Sequence, residues 1–123
     1  MKRVLTGLSI VLGLVHSELA QEAERGATMD NAQAQLSVCI AYYSLEMECT
    51  EGGSAARFLH LLVKRSDAAA KALAMSRADV AMRLKFNLAM QRSLIEDSCA
   101  NIARLRSRHE EDCEPWLRKG ASE

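Results

Sequence analysis

Four cysteines, at positions 39, 49, 99 and 113, limit what this 123-residue chain can fold into more than any other feature. Cys39 and Cys49 lie in a stretch, Thr28 to Thr50, whose apolar residues recur at helical spacing. Met29, Ala32, Leu36, Ile40, Tyr43 and Met47 share one face, and Val38, Tyr42, Leu45 and Cys49 form a second strip nearly opposite. A helix apolar on two sides is one packed between neighbours. Ten residues of helix span roughly 15 Å, whereas a disulfide needs its Cα atoms within about 7 Å. The two cysteines therefore cannot bond to each other, and each must reach Cys99 or Cys113. An even cysteine count in a small exported chain reads as two disulfides. An antiparallel arrangement of the first and last helices favours Cys49–Cys99 with Cys39–Cys113. The pairing Cys39–Cys99 with Cys49–Cys113 stays open. Either way each bridge closes a long loop, worth on the order of 4 kcal/mol in the chain-entropy model, and a small helical core needs such help.

The rest of the chain reads as further helices. Aromatic residues make up 4% of it, alanine and leucine are frequent, and Pro115 is the single proline, a composition that favours helix over strand. Gly52-Gly53-Ser54 is the clearest break, with Ser54 placed to cap a second helix from Ala55 to about Met75. Phe58, Leu61, Leu62, Ala69, Ala72 and Leu73 are its core-facing residues. Ser76 and Asp79 form a capping box that starts a third helix. There Val80, Leu84, Leu88 and Gln91 lie on one side and Met82, Phe86 and Met90 on the other, the methionines reading as core filling. A second capping box, Ser93 to Glu96, predicts the start of a fourth helix, with one continuous helix from Asp79 to Arg108 as the alternative. Ile95, Cys99, Ile102 and Leu105 form its inner stripe, and Pro115 is expected to end it, with Trp116 and Leu117 folding back as an apolar plug. The expected fold is all-α: a three- or four-helix up-down bundle linked by two disulfides, over residues 28–117, with residues 118–123 a flexible tail.

The N-terminus predicts export. Lys2 and Arg3 precede an apolar run from Val4 to Val15 that is shorter than the roughly 20 residues needed to span a bilayer. Val15 and Ser17 suit a signal-peptidase site, giving a signal peptide over residues 1–17, with Ala20 as an alternative end, and a flexible mature segment over 18–27. No transmembrane span is then expected in the mature chain. The whole chain carries 16 basic and 16 acidic residues. Loss of Lys2 and Arg3 leaves a slight acidic excess, which argues against general nucleic-acid binding.

No catalytic constellation emerges: there is no G-x-S-x-G, H-E-x-x-H or glycine-rich phosphate loop. The chain reads as non-enzymatic and calls for no cofactor. The segment from Arg57 to Arg92 concentrates positive charge in Arg57, Lys64, Arg65, Lys71, Arg77, Arg83, Lys85 and Arg92, against Asp67 and Asp79. Such a surface suits an anionic partner, although the ordinary solvated face of two helices has the same composition. His109 and Cys113 lie four apart on one helical face and resemble half a metal site, but the segment reads better as an acidic helix end carrying a disulfide cysteine. Tyr42 and Tyr43 read as packing around a bridge, and His60, set between leucines, as an interior or boundary residue.

The pattern Cys39-x-x-Tyr42-Tyr43 with Cys49, then Cys99-x-Asn101-Ile102 with Cys113, resembles small exported helical four-cysteine proteins of Gram-negative bacteria. The resemblance covers about Leu36 to Trp116 and implies a periplasmic or secreted address, with no activity attached to it. In general style the chain is also similar to small periplasmic acid-stress chaperones. The functional expectation is a periplasmic binding or structural component of the cell envelope, holding an envelope protein, lipid or polymer and free to self-associate. Two alternatives are a stress holdase and a soft-metal binder using Met75, Met82, Met90 and His109.

Overall fold

The computed structural model describes residues 29–51 and 53–121. The expected signal peptide and mature N-terminal segment lie outside the described residues. Among the described residues four α-helices follow one another: α1 over residues 29–50, α2 over Ala55–Ala72, α3 over Arg77–Leu94 and α4 over Ala103–Ala121, with a 3-10 turn, Cys99–Asn101, leading into α4. No strand occurs among the described residues, and no helix there is long and apolar enough to cross a membrane.

α1 is the axis of the bundle. From Leu36 to Leu45 most of its side chains are buried, on all sides of the helix. Both apolar strips of α1 therefore find neighbours, as the two-sided pattern required. Met47 is the exception: it is exposed rather than in the core. Gln33 meets Ser66 and Tyr43 meets Phe58, so α2 runs antiparallel to α1. Asp30 and Gln33 meet Arg83, and Glu48 meets Arg92, so α3 runs parallel to α1. Cys39 is bonded to Cys113 and Cys49 to Cys99, with Cα atoms 5.7 and 5.3 Å apart, so α4 is antiparallel. The result is an up-down-up-down bundle. Two disulfides fit an oxidising compartment outside the cytoplasm.

Several element boundaries differ from the expectations. Ser54 precedes α2, but its side chain makes no capping bond; its carbonyl accepts from Phe58 N instead. α2 stops at Ala72, before the predicted Met75, because Ala74 turns left-handed (φ +54°). Met75 N then reaches Ala70 O, and Ala74 N reaches Lys71 O, the paired bonds of a Schellman stop. The Ser76 hydroxyl accepts from Asp79 N at 3.1 Å, so the first capping box starts α3 as expected.

The second capping box does not start a helix, nor is there one continuous helix to Arg108. α3 runs through Ser93 to Leu94 and ends in another Schellman pair, Asp97 N to Arg92 O and Glu96 N to Ser93 O. Glu96 and Asp97 both adopt left-handed φ, and no glycine marks the place. Nor does Pro115 end α4, which continues to Ala121, into the region expected to be a tail. Trp116 and Leu117 pack on the core as part of that helix rather than as a plug folded back.

Candidate functional site

The bundle is not evenly closed. α4 packs against both α2 and α3, while those two helices have little direct contact with each other. Between them lies an open groove of about 720 Å³. Ala68, Ala70, Met75, Val80, Ala81 and Leu84 form its apolar lining, and Lys64, Lys71 and Arg77 border it, opposed by Asp67. Local sequence explains the gap. Ala68 and Ala70 present only methyl groups on the α2 side of the gap. The left-handed step at Ala74 then sets the start of α3 off to one side. A smaller apolar recess of about 70 Å³, lined by Val63, Val80, Leu84 and Ile40, lies between the same helices and touches α1.

The eight basic residues singled out in the sequence have separate fates. Lys64, Lys71 and Arg77 are exposed along the groove, and among the described residues none has an ion-pair partner. Arg83 is turned inward to Asp30 and Gln33, and Arg92 is paired with Glu48 at 3.0 Å. Arg65 is half-buried, while Arg57 and Lys85 are exposed outside the groove lining. Three of the eight thus border the groove.

α3 holds a feature that periodicity alone could not orient. Arg83, Asn87 and Gln91, four residues apart in turn, face α1 and bond Gln33, the Ser37 hydroxyl and the Val38 carbonyl. Gln91 is buried, and its Oε1 makes no hydrogen bond. The adjoining strip, about 100° round the helix, presents Met82, Phe86 and Met90 to solvent at 66, 65 and 48% exposure. These methionines are therefore not core filling, and with Phe86 they form an outward apolar stripe. His60 is exposed as well, rather than interior.

The half metal site of His109 and Cys113 does not form. The Cys113 sulfur is bonded to Cys39, and the His109 ring lies 6.1 Å from that of Tyr42. Burial holds the His109 imidazole below the usual histidine range; Arg108 adds to this and Asp112 opposes it. No group of three metal-capable side chains converges among the described residues.

Fold and groove together define an all-α, doubly disulfide-linked four-helix bundle with one incompletely closed seam. Comparison with known proteins finds no matching family model, no similar curated protein and no similar solved structure.

Proposed function

We propose that this chain is a non-enzymatic binding protein of the periplasm or the extracellular space, and that the groove between α2 and α3 holds an anionic amphiphile of the cell envelope. The observation that carries this reading is the groove itself, which combines an apolar lining with Lys64, Lys71 and Arg77 at its border. Its volume falls in the range of small-ligand sites, roughly 300–1,000 Å³. The apolar lining would take a hydrocarbon body and the three cations a carboxylate or phosphate head. The export signal read in the sequence, the resemblance to exported four-cysteine proteins and the two disulfides support the address.

The test is displacement of a fluorescent anionic fatty-acid probe from the purified mature protein. Saturable binding is expected, weakened about tenfold by Lys64→Glu with Lys71→Glu and unchanged by Arg57→Glu, which lies off the groove. No binding, or equal loss in the Arg57 variant, would overturn the reading. Peptide mapping of protein taken from the periplasm reads the mature N-terminus and so checks the address.

A second reading, a stress holdase, is favoured by the outward stripe of Met82, Phe86 and Met90. Exposed methionine is suited to adaptable apolar contact. It predicts that the native protein suppresses aggregation of an unrelated protein at low pH, and that Phe86→Ser with Met82→Ser removes the effect. A dedicated groove binder would show no such suppression.

A further inference from the structure

A separate cavity of about 370 Å³ opens beside the turn between α1 and α2. It shares no lining residue with the groove. Tyr42, Tyr43 and Glu46 come to it from α1, Phe58 from α2 and Glu110 from α4. Glu51 and Ser54 of the turn also border it.

Three properties point to one class of ligand. The first is aromatic: the Tyr42 and Tyr43 ring centroids are 4.7 Å apart, and Tyr43 meets Phe58 edge-on at 5.4 Å. Clustered rings attract cations through their quadrupoles. The second is charge. Glu46 is paired with Arg106 at 2.5 Å, whose charge Glu110 also feels. Neither Glu51 nor Glu110 forms an ion pair with another described residue, so three carboxylates face one guanidinium and the border of the cavity is acidic.

The third is polar capacity. Tyr42 and Tyr43 are only 2% and 6% exposed, and both line the cavity. Neither hydroxyl hydrogen-bonds to another described residue, and neither oxygen is sealed from solvent, so both are open to a ligand in the cavity. Burial, then the charges of Glu46 and Glu110, hold the Tyr42 phenol well above the usual tyrosine range. The neutral phenol oxygen, with Glu46 and Glu110 bordering the same cavity, is able to accept an N–H bond. The carboxylates do not gather closely enough with other ligating groups to chelate a metal ion. A diffuse organic cation makes no such demand.

We propose that this cavity binds a small organic ammonium compound, its cationic head seated among Tyr42, Tyr43 and Phe58 and balanced by Glu51 and Glu110. The ammonium head is the shared chemistry of quaternary compounds and of primary di- and polyamines, and two probes separate these sources. The mature protein is titrated with tetramethylammonium chloride and with putrescine, followed by amide NMR shifts, with sodium chloride at matched ionic strength as control. Saturable shifts at Tyr42, Ser54 and Phe58 are expected with at least one probe and not with sodium chloride. Tetramethylammonium alone would assign the head to the rings, and putrescine alone to the hydroxyls and carboxylates; both support the site. Glu51→Gln with Glu110→Gln changes only exposed residues and should weaken binding about tenfold, while Lys64→Glu with Lys71→Glu should leave it unchanged. Shifts matched by sodium chloride, no saturation with either probe, or full affinity in the double glutamine variant would overturn the proposal.

Discussion

The Arg83 guanidinium donates to Oε1 of Gln33 at 2.5 Å, across 50 positions of sequence, and ties α3 to α1 through polar rather than apolar groups. The same arginine reaches Asp30 at 2.7 Å, and Gln33, fully buried, passes a further bond to Ser66 of α2 at 3.2 Å. One polar chain thus joins three helices. Such networks are stable only when every member is satisfied.

Arg83→Leu should therefore be costly, although Arg83 is not deeply buried. It leaves the Gln33 carbonyl oxygen unpaired in the core, a penalty of about 1–3 kcal/mol. Urea unfolding should show that loss. Gln33→Leu combined with Arg83→Leu and Ser66→Ala should recover part of it, because all three buried polar partners are then gone. Additive losses in the combined variant would refute the coupling.

Ala74 predicts a stabilising substitution. Its left-handed φ of +54° is the position where helix stops favour glycine, and an L side chain there costs roughly 1–2 kcal/mol. Glycine adds unfolded-state entropy that offsets part of this. Ala74→Gly should raise stability by up to about 1 kcal/mol, read as a higher denaturation midpoint at unchanged slope. A lower midpoint would mean that the Ala74 methyl packs usefully.

The two disulfides should reduce in a fixed order. Cys39 and Cys113 are 0 and 1% exposed, whereas Cys99 is open to solvent and Cys49 partly so. Thiol exchange needs access to the sulfur. Graded dithiothreitol followed by alkylation and mass mapping should label Cys49 and Cys99 first. Replacing Cys39 and Cys113 together by alanine should lower stability by about 4 kcal/mol in the chain-entropy model.

Two titrations bound the stable pH range. The His109 pKa is lowered in the fold, so below the ordinary value of about 6.5 the unfolded chain binds the extra proton first, and stability falls as pH falls. His109→Gln should flatten that decline between about pH 7 and pH 5. The Tyr42 phenol is raised by burial and by Glu46 and Glu110, so above about pH 10 the unfolded chain loses its proton first and stability falls as pH rises. Thermal melts across both ranges check the signs.

The acidic end of α1 shows how sequence and structure divide the explanation. Taken alone, Glu46 and Glu48 near the C-terminal end of α1 oppose the helix dipole. In the fold they are anchoring points, Glu46 for Arg106 of α4 and Glu48 for Arg92 of α3. The candidate site divides similarly. The basic residues were visible in sequence, but only the separation of α2 from α3 shows that Lys64, Lys71 and Arg77 border one groove. The Tyr42 cavity has no local signature, because its walls come from three helices.

By itself the sequence determined that the chain is helical and that α1 lies between neighbours. It also determined that Cys39 and Cys49 bond elsewhere and that Ser76 starts a helix. These follow from periodicity, helix rise and a local cap, which act within one element. Tertiary structure alone decided where α3 ends, because Glu96 and Asp97 take left-handed φ without glycine to announce it. It decided that α4 passes through Pro115, which costs a helix interior about 3 kcal/mol. Cys113 is tethered by its bridge just before the proline, and Trp116 and Leu117 pack on the core just after it. It also decided which face of α3 turns inward. Apolar residues occur on both sides of that helix, so periodicity leaves its rotation open. The polar partners that Gln33, Ser37 and Val38 offer from α1 bring Arg83, Asn87 and Gln91 inward and leave Phe86 in water.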